Sequence, residues 1–155
     1  MIKKHDYKQW IQKVEGRVGK MKDIAFVLHR NNNENMVCYK HDAAEGCKPF
    51  WIMFEKEGQP FEELTILEKQ FGYGLNPVTR KNHYLVMNIK AFEERDIIFM
   101  YDDQGQFSAY GKINNVLKKV KAVHLEIKTF VGIIPTVEYM EIFGEDGSYE
   151  KYYVK

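Results

Sequence analysis

The first regular hydrophobic pattern along the chain has helical spacing. Its apolar side chains recur at three- and four-residue intervals, which place them on one face of a helix: Tyr7, Trp10, Ile11 and Val14. Asp6 is suited to cap the helix N-terminus, and Gly16 is suited to end it. The pattern predicts a helix within residues 1–16 whose aromatic face docks on the body of the domain.

Most of the remaining pattern is typical of β-strands. Residues 23–30 form a nearly continuous apolar run, as expected for a strand buried on both faces, whereas residues 123–128 alternate apolar and polar side chains. Turn-forming residues separate the runs, with Asp146-Gly147 as the strongest hairpin signal. The predicted strands cover residues 23–30, 36–41, 50–55, 84–89, 97–101, 107–113, 123–128, 137–143 and 149–154.

The period of the pattern changes between the third and fourth of these strands. Pro60 suits the first turn of a helix, and Glu62 and Glu63 favour its positive end. Apolar residues then recur at helical spacing as far as Phe71, where Gly72 follows. This segment therefore predicts a central helix from Pro60 to Phe71.

These elements predict the fold class. About eight or nine strands with an N-terminal helix and one central helix indicate a mainly β (α+β) fold, either an antiparallel β-barrel or a sandwich. A closed barrel leaves no exposed sheet edge, which favours it slightly over the sandwich. With 155 residues and no linker-like segment, residues 1–155 are expected to form a single domain.

Composition narrows the classes of partner. Lys plus Arg number 23 and Asp plus Glu 22, so the formal net charge of +1 gives no global field for nucleic acid. No apolar segment is long enough for a membrane helix, so no membrane insertion is expected. The first residues lack the apolar core of a signal peptide, which favours a cytoplasmic location, although removal of a signal would leave the same sequence.

The two cysteines do not predict a disulfide or a metal centre. Cys38 and His41 have half of a familiar zinc-ligand spacing, but no second pair completes it, and within a strand they point to opposite faces. We therefore expect Cys38 and Cys47 to be free thiols and expect no cofactor, with a Cys–His nucleophilic pair left open as an alternative. His124 and Glu126 share the polar face of their strand and are expected to be solvated.

The densest polar cluster runs from His29 to Asn35, where the first predicted strand enters a turn. The Arg30 guanidinium is suited to bind a carboxylate or phosphate through two hydrogen bonds, with the Asn amides fixing its orientation. Consecutive Asn residues are also what a tight turn uses, so the cluster has a purely structural interpretation as well.

Motifs in a defined order resemble a bacterial family named domain of unknown function 4833. They are Arg30-x-x-Asn33-x-Asn35-x-Val37-x-Tyr39, Phe50-Trp51-Ile52, Glu63-Leu64-Thr65, Phe71-Gly72-Tyr73-Gly74 and Pro135-x-Val137-x-Tyr139-x-Glu141-x-Phe143-Gly144. The resemblance covers most of the chain from Lys22 onward and implies no established activity. Its most distinctive segments contain the candidate ligand-binding residues: Arg30, Asn33, Asn35, Trp51, Glu63, Thr65 and Tyr73.

Three functions follow as hypotheses, led by a small-molecule-binding module. In this module aromatic side chains would provide stacking surface while Arg30, Asn33 and Asn35 hold a polar end of the ligand. The stacking candidates are Trp51, Phe54, Tyr73 and Tyr84.

The other two hypotheses are an interaction domain and an enzyme. An interaction domain would bind a protein partner, with a second copy of the chain as one alternative, through the Tyr7/Trp10 helix face or the terminal hairpin, which carries Tyr149, Tyr152 and Tyr153. An enzyme would use Arg30 as an electrostatic clamp with Glu63 or His29 as the acid–base group. That third hypothesis requires these side chains to converge in one cleft.

Overall fold

The structure, a computed structural model, describes residues 6–31, 33–132 and 134–154. Helix α1 covers Tyr7–Val18, and a three-residue helix, α2, covers Ile66–Glu68 and continues into a π-helical turn over Lys69–Tyr73. The strands are β1 (Ile24–Arg30), β2 (Asn33–Asp42), β3 (Gly46–Ile52), β4 (Phe61–Glu63), β5 (Leu75–Arg80), β6 (Leu85–Ile89), β7 (Phe92–Tyr101), β8 (Phe107–Ile113), β9 (Val116–Val131), β10 (Ile134–Gly144) and β11 (Tyr149–Tyr153). None of the described helices is long and apolar enough to cross a membrane.

The strands form one curled mixed sheet, a half-barrel. Its main path runs β4-β3-β2-β1-β9-β8-β7-β6-β5, and β10 pairs with both β9 and β11. Strands β1 and β9 run parallel, in the register Val27–Ala122 to Arg30–Leu125, while the other strand pairs of the described chain are antiparallel. The mainly β class is therefore confirmed, with one parallel pair inserted in an otherwise antiparallel sheet.

Two hydrophobic clusters lie on the two faces of this sheet. The inner cluster fills the half-barrel and includes Leu28, Leu125 and Met140. The outer cluster joins the convex face to α1 through Trp10, Val14 and other buried side chains. Side chains alternate between the two clusters from Phe26 to Leu28 and from Ala122 to Val123, as expected for strands. The alternation is interrupted where the register shifts, so the neighbours Ala25 and Phe26 both belong to the inner cluster.

Helix α1 begins and docks as its spacing predicts. The Asp6 carboxylate accepts a hydrogen bond from the Lys8 backbone N–H, and Trp10 and Val14 are buried against the sheet. The predicted N-terminal helix is confirmed, but the prediction that Gly16 ends it is wrong: the helix continues to Val18, and Gly19 caps it by donating its backbone N–H to the Glu15 carbonyl. Residues 1–5 lie outside the described chain. Since this docking buries Trp10, the Tyr7/Trp10 face is not available for the partner contact considered above.

The predicted central helix is wrong over its first half. Residues Phe61–Glu63 form β4, which pairs with β3, and the helix begins only at Ile66. The reason is a capping box: Thr65 accepts from the Glu68 backbone N–H while the Glu68 carboxylate accepts from the Thr65 N–H. The hydrogen bonds of Thr65 fix the start of the helix at Ile66, and no helix begins at Pro60.

Within the described residues the sheet has eleven strands, where the sequence predicts about eight or nine. Strands β4 and β5 are the two that were missed. β4 has only three residues, and β5 contains Pro77, which argues against a strand unless that strand lies at an edge. Both strands lie at the ends of the main strand path, where a short or proline-containing strand is tolerated.

Replacement of Trp10 by alanine tests how α1 is held. Trp10 is 9% exposed and its ring contacts both His29 and Phe143, so Trp10→Ala is expected to lower the free energy of unfolding by about 3 kcal/mol. Gln12→Ala, at an exposed position of the same helix, is the matched control and should leave stability nearly unchanged. Equal urea midpoints for the two variants would show that α1 does not dock through Trp10.

Candidate functional site

Arg30 is the last residue of β1, and its side chain lies on the inner face of the half-barrel. It is only 5% exposed. Its guanidinium carbon lies 4.5 Å from the centre of the Trp51 ring and 5.2 Å from that of Tyr73. Cation–π attraction at such distances is strongest when water is excluded, so the two rings hold the guanidinium in a defined place.

One side of the Arg30 guanidinium has no hydrogen-bond partner. Nη1 donates to the Tyr73 hydroxyl at 3.1 Å, but Nε and Nη2 are buried and pair with none of the described residues. Buried donors are almost always paired, and a buried charge without compensation is costly. Nε–H and Nη2–H point in the same direction and form the fork that binds a carboxylate or phosphate through two parallel hydrogen bonds. The Arg30 site therefore leaves this pair of donors unpaired among the described residues.

The aromatic walls of the site are held by further hydrogen bonds. Trp51 Nε1 donates to Glu68 Oε1 at 3.2 Å, and the same oxygen belongs to the capping box of Thr65. The Tyr39 hydroxyl donates to the Tyr73 carbonyl oxygen at 2.8 Å. Burial raises the pKa of the Tyr73 phenol, against an opposing effect of the Arg30 charge, so the ring carries a neutral hydroxyl at neutral pH. Each wall is thus positioned before any ligand binds.

A π-helical turn carries Tyr73 to Arg30. Such turns are rare and occur frequently at functional sites. The turn ends at Gly74, where a Cβ atom would lie 2.0 Å from the Lys69 carbonyl oxygen. Because that neighbour is backbone, a larger residue at this position requires the turn itself to change. Gly74 is therefore needed for the placement of Tyr73.

The structure brings together some of the predicted site residues and separates others. Trp51 and Tyr73 contact Arg30, and Thr65 supports Trp51 through Glu68. Asn35 instead accepts a hydrogen bond from the Phe54 backbone N–H at 3.4 Å. The side chain of Asn33 lies outside the described part of the chain.

Glu63 is not part of this site. It lies opposite Phe50 in the β3–β4 register, on the convex face of the sheet, and forms an ion pair with Lys48. His29 also lies on the convex face, where it stacks on Trp10. Because Glu63 lies on the other side of the sheet, the enzyme hypothesis that joins it to Arg30 in one cleft is wrong. His29 and Arg30 do line one cleft beside Trp10, but the His29 side chain stacks on Trp10, on the face opposite the Arg30 guanidinium.

Two predicted stacking residues lie elsewhere as well. Phe54 packs with the outer cluster and has the Lys13 ammonium 4.3 Å from its ring centre. Tyr84 precedes β6 and is 39% exposed. Two supporting residues were missed instead, Tyr39 and Glu68. The Thr65-x-x-Glu68 spacing of a capping box was the readable signal for Glu68.

A groove of about 550 Å³ lies beside the Arg30 site, between β3 and β5. Cys47 and Pro49 line it and, as alternate residues of β3, share the face that carries Trp51. Burial raises the pKa of the Cys47 thiol well above its usual value, so this sulfur is neutral and a poor nucleophile.

Comparison with known proteins gives a family. A family model described as domain of unknown function (DUF4833) matches residues 26–154. The chain belongs to this family. No curated protein and no solved structure matches it. The family match contains every residue of the Arg30 site, whereas α1 lies before it.

A second polar cluster lies under α1, and its three residues all fall within the DUF4833 match. His29 and His124 are joined Nδ1 to Nδ1 at 2.8 Å, and His124 Nε2 lies 2.9 Å from Glu126 Oε1. Contrary to the sequence prediction, His124 is fully buried. The alternation along β9 was correct, but α1 covers this polar face, and the Trp10 ring stacks on His29 at 4.2 Å.

In the described part of the DUF4833 chain, the two cysteines do not form a metal centre with these histidines. Cys38 belongs to the outer cluster and Cys47 to the inner one, and both are free. Among the described residues, no group of three or more His, Cys, Asp or Glu side chains is placed to hold a metal ion.

Replacement of Arg30 by methionine tests whether its fork is unused. Methionine keeps the apolar contact with the rings and removes the buried donors, each of which costs about 1–3 kcal/mol when unpaired. The loss of the cation–π contact opposes this gain by about 2 kcal/mol. We expect Arg30→Met to be at least as stable as the parent protein in thermal unfolding without ligand.

Arg95 provides the matched control for that variant. It also lies over an aromatic ring, that of Tyr152 at 4.6 Å, but its guanidinium is paired with Glu150 at 2.6 Å. Arg95→Met should therefore lower stability by about 1–3 kcal/mol. If Arg30→Met is destabilised as much as Arg95→Met, the Arg30 guanidinium is a structural group and its fork is not vacant in solution.

The histidine pair makes a prediction about tautomers. A Glu126 carboxylate can only accept, so His124 donates from Nε2 and accepts at Nδ1, which requires His29 to donate from Nδ1. ¹⁵N–¹H NMR of the imidazoles should show a proton on Nε2 of His124 and on Nδ1 of His29. A His29 ring without a proton on Nδ1 would contradict this hydrogen-bond chain.

Proposed function

We propose that the chain is a binding module for a small molecule with a carboxylate or phosphate group, which Arg30 holds inside the half-barrel. The observation that carries the proposal is the buried guanidinium whose Nε and Nη2 have no partner among the described residues. An oxyanion at this fork would supply two charge-assisted hydrogen bonds and compensate the buried charge. Without a bound anion, the unpaired donors only lower the stability of the protein. In an anion-binding protein the same donors hold the ligand.

The walls of the site favour recognition of the rest of the ligand by aromatic contact. The Trp51 and Tyr73 rings lie edge to face, with their centres 5.7 Å apart, around the guanidinium. Pockets for small molecules combine such apolar walls with one or two placed polar groups. Arg30 is that polar group, and it selects for negative charge.

Binding accounts for the site better than catalysis does. The nearest thiol, that of Cys47, is held neutral by burial, and the acid–base candidates Glu63 and His29 lie on the opposite face of the sheet. Arg30 itself stays protonated in proteins and transfers no proton. The site is thus equipped to hold an anion.

Entry to the fork requires the segment from Thr65 to Gly74 to move. Nε and Nη2 are enclosed, and Tyr73 closes one side of the guanidinium through the π-helical turn. The segment is held to the sheet by side-chain hydrogen bonds from Trp51, Tyr39 and Arg30 and by the backbone hydrogen bond from Lys90 to Gly74. Each such bond has a net value of only about 1 kcal/mol, and the burial of Tyr73 adds to the cost of opening.

A thermal-shift screen with acetate, benzoate and inorganic phosphate tests the proposal. A ligand present at about 100 times its dissociation constant stabilises the fold by roughly 2.7 kcal/mol, or about 5–10 °C for a domain of this size. Arg30→Met should abolish the shift. Arg30→Lys, which keeps the charge and loses the fork, should weaken it.

Arg95→Met is the control and should respond to ligand as the parent does, because its guanidinium is already paired. A shift of equal size in Arg30→Met would contradict the proposal, since the anion would then be bound elsewhere. Absence of a shift with every oxyanion would contradict it as well.

A further inference from the structure

The groove beside Arg30 is elongated and largely apolar. It is lined on one side by β3 and on the other by β5, with the short helix at its mouth. Its apolar lining is formed by Cys47, Pro49, Ile66, Leu75, Pro77 and Met87. Ile66 is 77% exposed, although apolar side chains of this size are usually covered. An apolar occupant of the groove would cover it.

The groove and the Arg30 site lie along the same two segments of the chain. On β3, Cys47 and Pro49 line the groove, and Trp51 follows on the same face about 7 Å further along the strand. On the other side, Tyr73 contacts Arg30 while Gly74 and Leu75, the next residues, line the groove. A ligand that extends from the guanidinium past Trp51 would follow these segments into the groove.

The strand edges beside the groove argue against an extended peptide. A peptide that adds to a sheet needs edge N–H groups, and each of these edges carries a proline, Pro49 in β3 and Pro77 in β5. Proline is tolerated in a paired strand only where its nitrogen faces away from the partner strand. For Pro49 and Pro77 that direction is toward the groove. The groove thus offers apolar contact and few backbone donors.

The charges that line the groove favour a negatively charged ligand. Lys69, Arg80 and Lys90 line the groove together with a single acidic residue, Glu45. The lining therefore combines a net positive charge with apolar side chains. The combination suits a molecule with one anionic group and an uncharged extended body.

We propose that the ligand is an aliphatic carboxylate whose head group binds the Arg30 fork and whose chain lies in the groove between β3 and β5. This inference rests on the proposed function, because it assumes that Arg30 binds the anionic group. It adds the class of ligand and the path of its chain. A neutral Cys47 thiol and the Met87 thioether are compatible with a methylene chain.

A series of straight-chain carboxylates with 4, 8, 12 and 16 carbons, each below its critical micelle concentration, tests the inference by calorimetry. Affinity should rise by about threefold to fourfold for each methylene that becomes fully buried, until the groove is filled. Arg30→Met should weaken every member of the series. Dodecanol, which has the chain without the carboxylate, should bind much more weakly than dodecanoate.

A pair of neighbouring variants locates the chain. Thr79 lines the far part of the groove and Val78, the residue before it, does not. Thr79→Trp should remove the gain from the longest chains and leave the affinity for butanoate unchanged, whereas Val78→Trp, at an exposed position, should change neither. Circular dichroism and urea midpoints establish that both variants are folded.

The outcomes separate this inference from the proposed function. Arg30-dependent binding of benzoate and butanoate with no gain from chain length would overturn the chain path and leave the anion site intact. Equal effects of Thr79→Trp and Val78→Trp would also overturn that path. Failure of all carboxylates to bind, or equal binding of dodecanol and dodecanoate in the parent and in Arg30→Met, would overturn both.

Discussion

The parallel pairing of β1 with β9 is the constraint on which the rest of the molecule depends. It sets Val27–Arg30 beside Ala122–Leu125, and strand alternation then sends Leu28 and Arg30 inward and Val27 and His29 outward. The adjacent residues His29 and Arg30 therefore place polar side chains on opposite faces of the sheet. A shift of one residue in this register would exchange the two faces.

The buried polar groups on the two faces of the sheet differ in how many of their donors and acceptors form hydrogen bonds. On the outer face, the His29–His124–Glu126 chain pairs donors with acceptors beneath the Trp10 ring, so it contributes to the docking of α1. On the inner face, the Arg30 guanidinium has aromatic neighbours and one hydroxyl partner but no anion. A folded chain retains an uncompensated charge of this kind at a cost in stability, and such costs concentrate at functional sites.

Much of the fold could be predicted from local patterns, whereas most of the site could not. The docked helix follows from Tyr7, Trp10 and Val14, and the alternation of residues 123–128 gives the inner and outer faces of β9 correctly. The burial of His124 was missed because it depends on α1, which is distant in sequence. Likewise, the contact of Arg30 with Trp51 and Tyr73 needs the β1–β2–β3 register and the π-helical turn, and no local spacing encodes either.

The prolines that flank the groove have a consequence for how copies of the chain behave at high concentration. A half-barrel leaves strand edges open, and open edges are where sheets of separate molecules join into fibrils. Pro49 and Pro77 interrupt the two edges along the groove, and the edge strand β4 is only three residues long. The two prolines and the short β4 therefore limit the backbone N–H groups that these edges offer to a second molecule, although the sheet is not closed.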